Sequence, residues 1–413
     1  MKVDFRYRRV LCLGLALPLL TMHPANAHEI NFDQAVNMAW ANDPARKDLN
    51  TNRASAFARA DAAKSWFSGG PVLNAQYYDD HYAGGSNIGY TTYQGGVSVP
   101  LWLPGQGTET EKLARADAEN LRERLNVAHL AVSVKVLETA GALTLAQRRQ
   151  SVALAQLKAM ERISAAVTRS VKVGEGTSAD AQATDAELAN ARSEVDLAAE
   201  AVTATQADLQ ELLGTADIPD LMAYVPPPVP THPGGYGEDA DPRVRAAMRA
   251  VKAAQENTHL ARASFMPNPE IGVSAIHEEQ YGSPWDTRLG VNVSIPLPSA
   301  VRNVPMMAAA RDRMSAATRD EITARRMVRA ELIRIRARLA TAALARKEAE
   351  LAAGSLNQRA DALEHSWMLK ETPLVEALRA RRAAYQAIAT YSQTEVEWRV
   401  AAIRMSIAYG AMQ

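Results

Sequence analysis

The sequence has 413 residues, and its 46 lysine and arginine residues balance 46 aspartate and glutamate residues to a formal net charge of zero. This balance excludes the basic surface on which a nucleic-acid-binding protein depends. The single cysteine, Cys12, excludes a disulfide within the chain and a cysteine metal site.

The first 27 residues have the parts of a secretory signal peptide in the right order. A basic start is followed by an apolar run of 11 residues, Val10 to Leu20, and Ala25-Asn26-Ala27 fits a cleavage site. We predict cleavage after Ala27. Val10 and Leu11 precede Cys12 in place of small residues, so lipidation is not predicted. No later stretch is predicted to reach the roughly 18 apolar residues of a membrane helix.

The rest of the chain repeats one pattern. "NDPARKDLN" at Asn42 is similar to "ADPRVRAAM" at Ala240, and "VSVPL" at Val97 is similar to "VSIPL" at Val293. Four such landmarks recur in one order at offsets of 198, 198, 196 and 195 residues. Constant spacing of this kind predicts a tandem duplication. We assign residues 28–213 to repeat 1, 214–240 to a Pro/Gly-rich linker and 241–413 to repeat 2.

Each copy predicts the same elements. A helix of about 23 residues starts at Pro44 or Pro242, because proline is favourable at the first helical position. It ends near Phe67 or Met266. A β-hairpin follows, in residues 71–102 and 269–298. A long helical hairpin completes each copy, and its longer helix could reach about 100 Å at ~1.5 Å per residue. The predicted long helices are Thr108–Val173, Ser178–Leu213, Val304–Met368 and Pro373–Ala408, with Thr177 and Thr372 as N-caps.

The hairpins predict strands that could cross a membrane. The predicted strands are Val72–Tyr82, Tyr90–Trp102, Glu270–Ile276 and Thr287–Leu297. Their length fits the ~9–11 residues of a tilted membrane strand, and aromatic residues near their ends are typical of interfacial girdles. Four strands cannot close a barrel, so several chains would have to share one. Two ordinary hairpins packed on helices are the alternative.

These motifs resemble the TolC-like outer-membrane efflux protein family along the whole mature length. "INFDQAVNMAWANDP" resembles the family's opening helix, and "VSVPLW" and "VSIPLP" resemble its strand-to-helix corners, at Pro100 and Pro296. "VGEGTSADAQATDAEL" and "KETPLVEALRARRAAY" resemble its helical hairpin tips. The resemblance implies a mainly α fold with a small β part, in which three chains build a 12-stranded outer-membrane β-barrel and a periplasmic α-barrel.

The same resemblance implies the activity and the partners. It implies a passive conduit, a homotrimer in outer-membrane lipid that works with a periplasmic adaptor and an inner-membrane pump and needs no cofactor. The tip residues expected to contact the adaptor are Val173, Gly174, Thr177 and Thr372. The periplasmic gate is expected at Glu376, Arg379 and Asp180. Arg379 departs from an acidic pattern, so it would pair with Glu376; a solvated i,i+3 surface pair is the alternative.

Several alternatives stay open at this point. The chain resembles the heavy-metal (cobalt–zinc–cadmium type) branch of the family, while export of drugs or of polypeptides by type I secretion is the alternative. The outer loops at Asp79–His81 and His277–Glu279 combine histidine with carboxylates, which can bind a divalent cation; polar loop tips are the alternative. A periplasmic coiled-coil adaptor is a second class of protein. An enzyme is a third, although the sequence has no nucleophile elbow, phosphate loop or His-Glu-x-x-His motif.

Overall fold

The computed structural model describes residues 29–80, 89–226 and 238–410. The predicted signal peptide and residues 227–237 of the predicted linker lie outside them. The helices are α1 Phe32–Asn42, α2 Pro44–Ala62, α3 Gln106–Lys172, α4 Ser178–Leu213, α5 Pro242–Ala263, α6 Ala300–Met368 and α7 Leu374–Ala408. The strands are β1 Glu29–Ile30, β2 Val72–Asp79, β3 Tyr90–Pro100, β4 Ile218–Pro219, β5 Glu270–Gln280 and β6 Asp286–Ser294. The fold is therefore mainly helical with a small strand part.

The Asp-Pro pairs start α2 and α5 as predicted. Asp43 Oδ1 accepts a hydrogen bond from the Ala45 amide at 2.7 Å, and Asp241 Oδ1 accepts one from the Arg243 amide at 2.8 Å. The aspartate satisfies one free amide of the first turn, and the proline after it has no amide to satisfy. Both helices end earlier than predicted, at Ala62 and Ala263.

Other bounds also differ from the predictions. β6 ends at Ser294, three residues before the predicted Leu297, and β5 continues four residues past the predicted Ile276. α6 begins at Ala300, not at Val304, so Pro305 is its sixth residue and not its second. Pro305 has no amide to donate to the Val301 carbonyl, so the second turn of the helix lacks one backbone hydrogen bond.

One 18-residue stretch of α3 is long and apolar enough, by length and composition, to cross a membrane. The prediction that no later segment is apolar enough to span a membrane is therefore wrong. Of that stretch, 44% is buried inside the protein. Val136, Leu137 and Leu143 of α3 lie in a core with Phe32 of α1 and Leu209 of α4. Packing against these helices therefore accounts for part of the apolar character of α3.

The long elements form a wall one layer thick and four elements wide. The antiparallel sheet has the order β2-β3-β5-β6. Next to the sheet, α2 contacts α3, α3 contacts α5 and α5 contacts α6. Towards the far end, α4 contacts α3, α3 contacts α7 and α7 contacts α6. β2, α2 and α4 thus lie at one edge of the wall and β6 and α6 at the other, while α1 packs against α3 and α4.

The two faces of the sheet differ in chemistry. Strand register places Leu73, Val97, Val273 and Val291 in one row, and Ala75, Gly95, Ala275 and Leu289 in the next row on the same face. Leu289 is 85% exposed and Val291 is 72% exposed. The opposite face carries rows of mostly small and polar residues, namely Asn74, Gly96, Ser274 and Gly290, then Val72, Ser98, Gly272 and Asn292. The sheet therefore has an apolar face and a polar face.

The sheet curls towards its polar face. A Cβ added at Gly96 would lie 2.9 Å from the Val273 carbonyl oxygen, and one added at Gly272 would lie 2.8 Å from the Val97 carbonyl oxygen. On the apolar face, a Cβ at Gly95 would have 4.0 Å to its nearest neighbour, the Asn74 carbonyl oxygen. Glycine at crowded positions is how a sheet bends sharply. The polar face is therefore concave.

Gly96→Ala is expected to destabilise the sheet, whereas Gly95→Ala is expected to leave it unchanged. The added methyl group at position 96 meets backbone, which cannot move aside, and overpacking of this kind typically costs about 1–3 kcal/mol. Thermal unfolding in detergent, followed by circular dichroism, measures the difference between these adjacent variants. Equal unfolding temperatures would contradict the assignment of the concave face.

Candidate functional site: the two helical hairpin tips

The turn between α3 and α4 is a Schellman motif closed by glycine. The Gly174 amide donates to the Val171 carbonyl at 3.0 Å, and the Glu175 amide donates to the Ser170 carbonyl at 2.9 Å. Gly174 has a φ of 79°, in the left-handed region that glycine adopts without strain. The tight turn predicted at Gly174 is confirmed.

Thr177 caps the start of α4, as predicted. Its hydroxyl accepts a hydrogen bond from the Asp180 amide at 3.1 Å, and the Asp180 carboxylate accepts one from the Thr177 amide at 3.2 Å. This reciprocal capping box satisfies two amides of the first turn. Asp180, one of the predicted gate residues, is therefore engaged in local helix capping.

The turn between α6 and α7 has the same geometry without glycine. The Lys370 amide donates to the Trp367 carbonyl and the Glu371 amide to the Ser366 carbonyl, both at 2.9 Å. Lys370 has a φ of 65°. Each residue of this turn lies 196 positions after its counterpart, so lysine stands where the first turn has Gly174. A left-handed L-residue costs roughly 1–2 kcal/mol, which makes Lys370 a strained residue.

The prediction that Thr372 caps α7 is wrong. The N-cap is Pro373, which offers no side-chain hydrogen bond, and α7 begins at Leu374. The Thr372 hydroxyl lies 3.5 Å from the Leu363 carbonyl instead. Because both turns have five residues between their helices, Pro373 is the counterpart of Thr177 and Thr372 is the counterpart of Gly176.

The two tips lie side by side and contact each other. Lys370 Nζ is 2.9 Å from Glu175 Oε2, and this ion pair joins one turn directly to the other. Leu374 is buried in a cluster that includes Ile163 and Val167 of α3. An open groove of about 640 Å³ runs between the tips, and its lining includes Val173, Gly176, Asp180, Thr372 and Val375.

Behind the tips, polar contacts join α7 to its neighbours. Arg382 of α7 forms an ion pair with Glu187 of α4. The Tyr385 hydroxyl donates to the Ala155 carbonyl of α3 at 3.1 Å. These contacts extend the connection between the two hairpins beyond the turns.

A buried arginine fixes α7 against α6. Arg381 pairs with Asp361 at 2.8 Å and also with Glu364. Burial alone would lower the pKa of Arg381, but its hydrogen bonds to Glu364 and Asp361 outweigh burial and raise that pKa. The guanidinium therefore stays charged and keeps the second hairpin closed on itself.

Glu376 and Arg379 form an ion pair on the surface of α7. Their oxygen and nitrogen atoms are 3.1 Å apart, and the side chains are 48% and 73% exposed. Glu376 occupies the third position of α7, as Asp180 does in α4. The structure thus brings two of the three predicted gate residues together, while Asp180 lies in the other hairpin.

The corner prolines and the outer loops lie at the ends of the sheet. Pro100 is the last residue of β3, and Pro296 lies between β6 and α6.

At the outer end of the sheet, the His277 ring stacks on Trp285 with a centroid distance of 4.6 Å, while the adjacent Glu278 pairs with Arg288. His81 of the other loop lies outside the described residues. Within the described part of the chain, no group of three or more His, Cys, Asp or Glu residues could hold a metal ion.

Comparisons with known proteins agree with this architecture. The family model described as outer membrane efflux protein matches residues 35–215. A membrane protein of Pseudomonas aeruginosa has the same fold with a TM-score of 0.75 at 19% identity, over 92% of this chain and 93% of that one. The resemblance to the TolC-like outer-membrane efflux proteins is confirmed. Members of that family are channel proteins rather than enzymes.

Two other structures have the same fold. CusC, described in terms of folding and transmembrane channel formation, has a TM-score of 0.75 at 16% identity and covers 98% of both chains. The outer membrane protein VceC of Vibrio cholerae has a TM-score of 0.71 at 15% identity, over 92% of this chain and 96% of that one. No curated protein shows significant sequence similarity to the chain.

Sequence reasoning missed the contacts between the two helical hairpins. A charged residue on a helical surface is usually solvated, so the sequence does not distinguish the residues that form these contacts. They are Lys370, Glu175, Arg382 and Glu187. The repeat did contain a signal for Lys370. The repeated "VSVPL" and "VSIPL" are 196 residues apart, and the residue 196 positions before Lys370 is Gly174.

Lys370→Gly is expected to be more stable than Lys370→Ala by about 1 kcal/mol, because only glycine adopts a left-handed φ without strain. Both variants lose the ion pair to Glu175, so their difference isolates the backbone. Midpoints of chemical denaturation measure it. Equal midpoints would contradict the strain assigned to Lys370.

Proposed function

We propose that the chain is the outer-membrane channel of a tripartite efflux system. Three copies would form a closed tube that conducts cargo passively from the periplasm to the exterior, in contact with a periplasmic adaptor and an inner-membrane pump. The chain would be exported by its signal peptide, cleaved after Ala27, and its long helices would extend into the periplasm.

The observation that carries the proposal is the one-layer wall with two open edges. The wall is four elements wide in the sheet, next to the sheet and at the tips. β6 is exposed along its whole length. An isolated sheet edge of this kind pairs readily with another strand. Copies of the chain joined edge to edge would cover β2 and β6 together with the helices below them, and three copies would supply 12 strands.

The chemistry of the two faces of the sheet supports a location in the membrane. Its convex face is apolar and exposed, and its concave face is polar, as in a barrel that faces lipid outside and water inside. At the outer end, Tyr77 contacts Tyr93 and Tyr93 contacts Trp285, with ring centroids 5.1 and 6.0 Å apart. At the end near the helices, Trp66 is 90% exposed. Aromatic residues at both ends of an apolar band are typical of a membrane barrel.

The tips support a gate at the other end of the tube. Both hairpins end at the same level, and Lys370 and Glu175 join them within one chain. We propose that Glu376, Arg379 and Asp180 lie at the aperture that these tips close. Val173, Gly174, Thr177 and Thr372, at or beside the turns, are the proposed contacts for the adaptor.

The cargo that we propose first is divalent heavy-metal cations, on the compact length of the chain and its resemblance to that branch of the family. Organic drugs and polypeptides of type I secretion are the alternatives. Growth of a deletion strain on graded zinc and cadmium, compared with growth on hydrophobic antibiotics, separates the two classes.

The assembly itself has a direct test. Outer-membrane extracts are expected to contain a heat-resistant trimer that runs as a monomer after full denaturation. The purified trimer is expected to conduct ions in a planar lipid bilayer. A monodisperse monomer in detergent would count against the channel, and a soluble periplasmic product would favour the coiled-coil adaptor.

A further inference from the structure

We infer that Glu278, Asp286 and Arg288 form a charged belt that sets the ion selectivity of the tube near its outer mouth. The inference rests on the proposed function, because the concave face of the sheet lines a pore only when copies of the chain close into a barrel. It concerns the end of the tube opposite to the predicted gate.

The register of the sheet places these three residues together on the concave face. One row consists of Tyr78, Thr92, Glu278 and Asp286, and the next row towards the helices consists of Gln76, Gln94, Ile276 and Arg288. Both rows lie close to the loops that join the strands at the outer end. Both share the face of Gly96 and Gly272, since residues two apart on a strand point the same way.

Arg288 contacts both carboxylates. Arg288 pairs with Glu278 across the strand pair β5–β6, and its Nε lies 3.1 Å from Asp286 Oδ2. The Glu278 side chain is only 9% exposed, whereas those of Arg288 and Asp286 are 60% and 64% exposed. One arginine thus stands against two carboxylates, and the belt has one excess negative charge per chain.

The same two rows carry longer side chains than the rows between them and the helices. The next two rows towards the helices have short and uncharged residues, namely Asn74, Gly96, Ser274 and Gly290, then Val72, Ser98, Gly272 and Asn292. Glu270, near the helices, is hydrogen-bonded to the Ser98 hydroxyl at 3.2 Å. The sheet lumen is therefore expected to be narrower at the belt than between the belt and the helices, so that a fixed charge at the belt lies close to a passing ion.

The excess negative charge predicts a preference for cations over anions. Arg288 reduces this preference by neutralising one carboxylate. Removing the arginine charge should therefore increase cation selectivity, and removing the two carboxylates should shift selectivity towards anions.

Reversal potentials of the purified channel in a planar bilayer, under a potassium chloride gradient, test the inference. Arg288→Gln is expected to raise the permeability ratio of potassium to chloride, and Glu278→Gln combined with Asp286→Asn is expected to lower it. Each change should be about threefold, the effect expected when a unit charge close to the permeation path is only partly screened. Asp286→Asn alone, at an exposed side chain, should lower the ratio without disturbing the fold.

Glu279→Gln is the matched control. It removes the same charge from the residue next to Glu278, but alternation along β5 places Glu279 on the convex face. Its permeability ratio should equal that of the unmodified protein. If the variants at Glu278, Asp286 and Arg288 match this control while the channel conducts, the inference is overturned. If the unmodified protein forms no channel, the proposed function fails instead.

Discussion

Replacing Leu289 by arginine is expected to abolish assembly of the protein in the outer membrane. Leu289 lies in the middle of β6, on the convex face, and is 85% exposed in the single chain. In the proposed barrel it faces hydrocarbon. An arginine on the lipid face near the middle of the bilayer costs about 2–4 kcal/mol, and three copies would multiply this cost within one trimer.

The chain itself offers a matched control for this change. Gln76→Arg introduces the same side chain one row away, on the concave face, in the row that already contains Arg288. A charge there faces water in the proposed barrel, so the variant should assemble normally. The yield of heat-resistant trimer in outer-membrane extracts measures both variants. Normal assembly of Leu289→Arg would show that the convex face does not meet lipid.

The sheet shows what the sequence could and could not predict. Alternation in residues 287–297 was enough to predict a strand and its apolar face, because the side-chain period of a strand is two. The end of β6 at Ser294 could not be predicted, since Ile295 continues the alternation and only pairing decides where a strand stops. The concave face also escaped prediction. Gly96 and Gly272 reveal it only when their distances to neighbouring backbone are known.

The helical hairpins give a similar lesson. Thr177, Gly174 and the bounds of α4 were predictable because caps and left-handed turns have strong residue preferences. In the second hairpin those preferences are absent, and Thr372 was mistaken for the cap. Packing of the two hairpins against each other, through Leu374 and the pair of Lys370 with Glu175, fixes a turn that the local sequence does not favour.

The second large effect is expected from reversing the charge of Glu175. Glu175→Lys places a cation next to Lys370, so the contact between the tips becomes repulsive. An exposed ion pair contributes about 0–1 kcal/mol. Turning this attraction into a repulsion changes the energy of the contact by about 1 kcal/mol in each chain. If all three chains open together, the combined change of about 3 kcal/mol shifts the balance between closed and open gates roughly 100-fold. Leak conductance of the reconstituted channel should rise accordingly.

The charge-swap variant separates the ion pair from the total charge of the tip. Glu175→Lys combined with Lys370→Glu restores opposite charges at the same two positions and should return the leak to its original level. Glu175→Lys alone and Lys172→Glu each alter the charge of the first tip. Lys172 forms no ion pair among the described residues, so its reversal should have little effect on the leak. If the leak stays high in the charge-swap variant, it follows the charge of the first tip and not the pairing of residues 175 and 370. This pair would then not hold the gate closed.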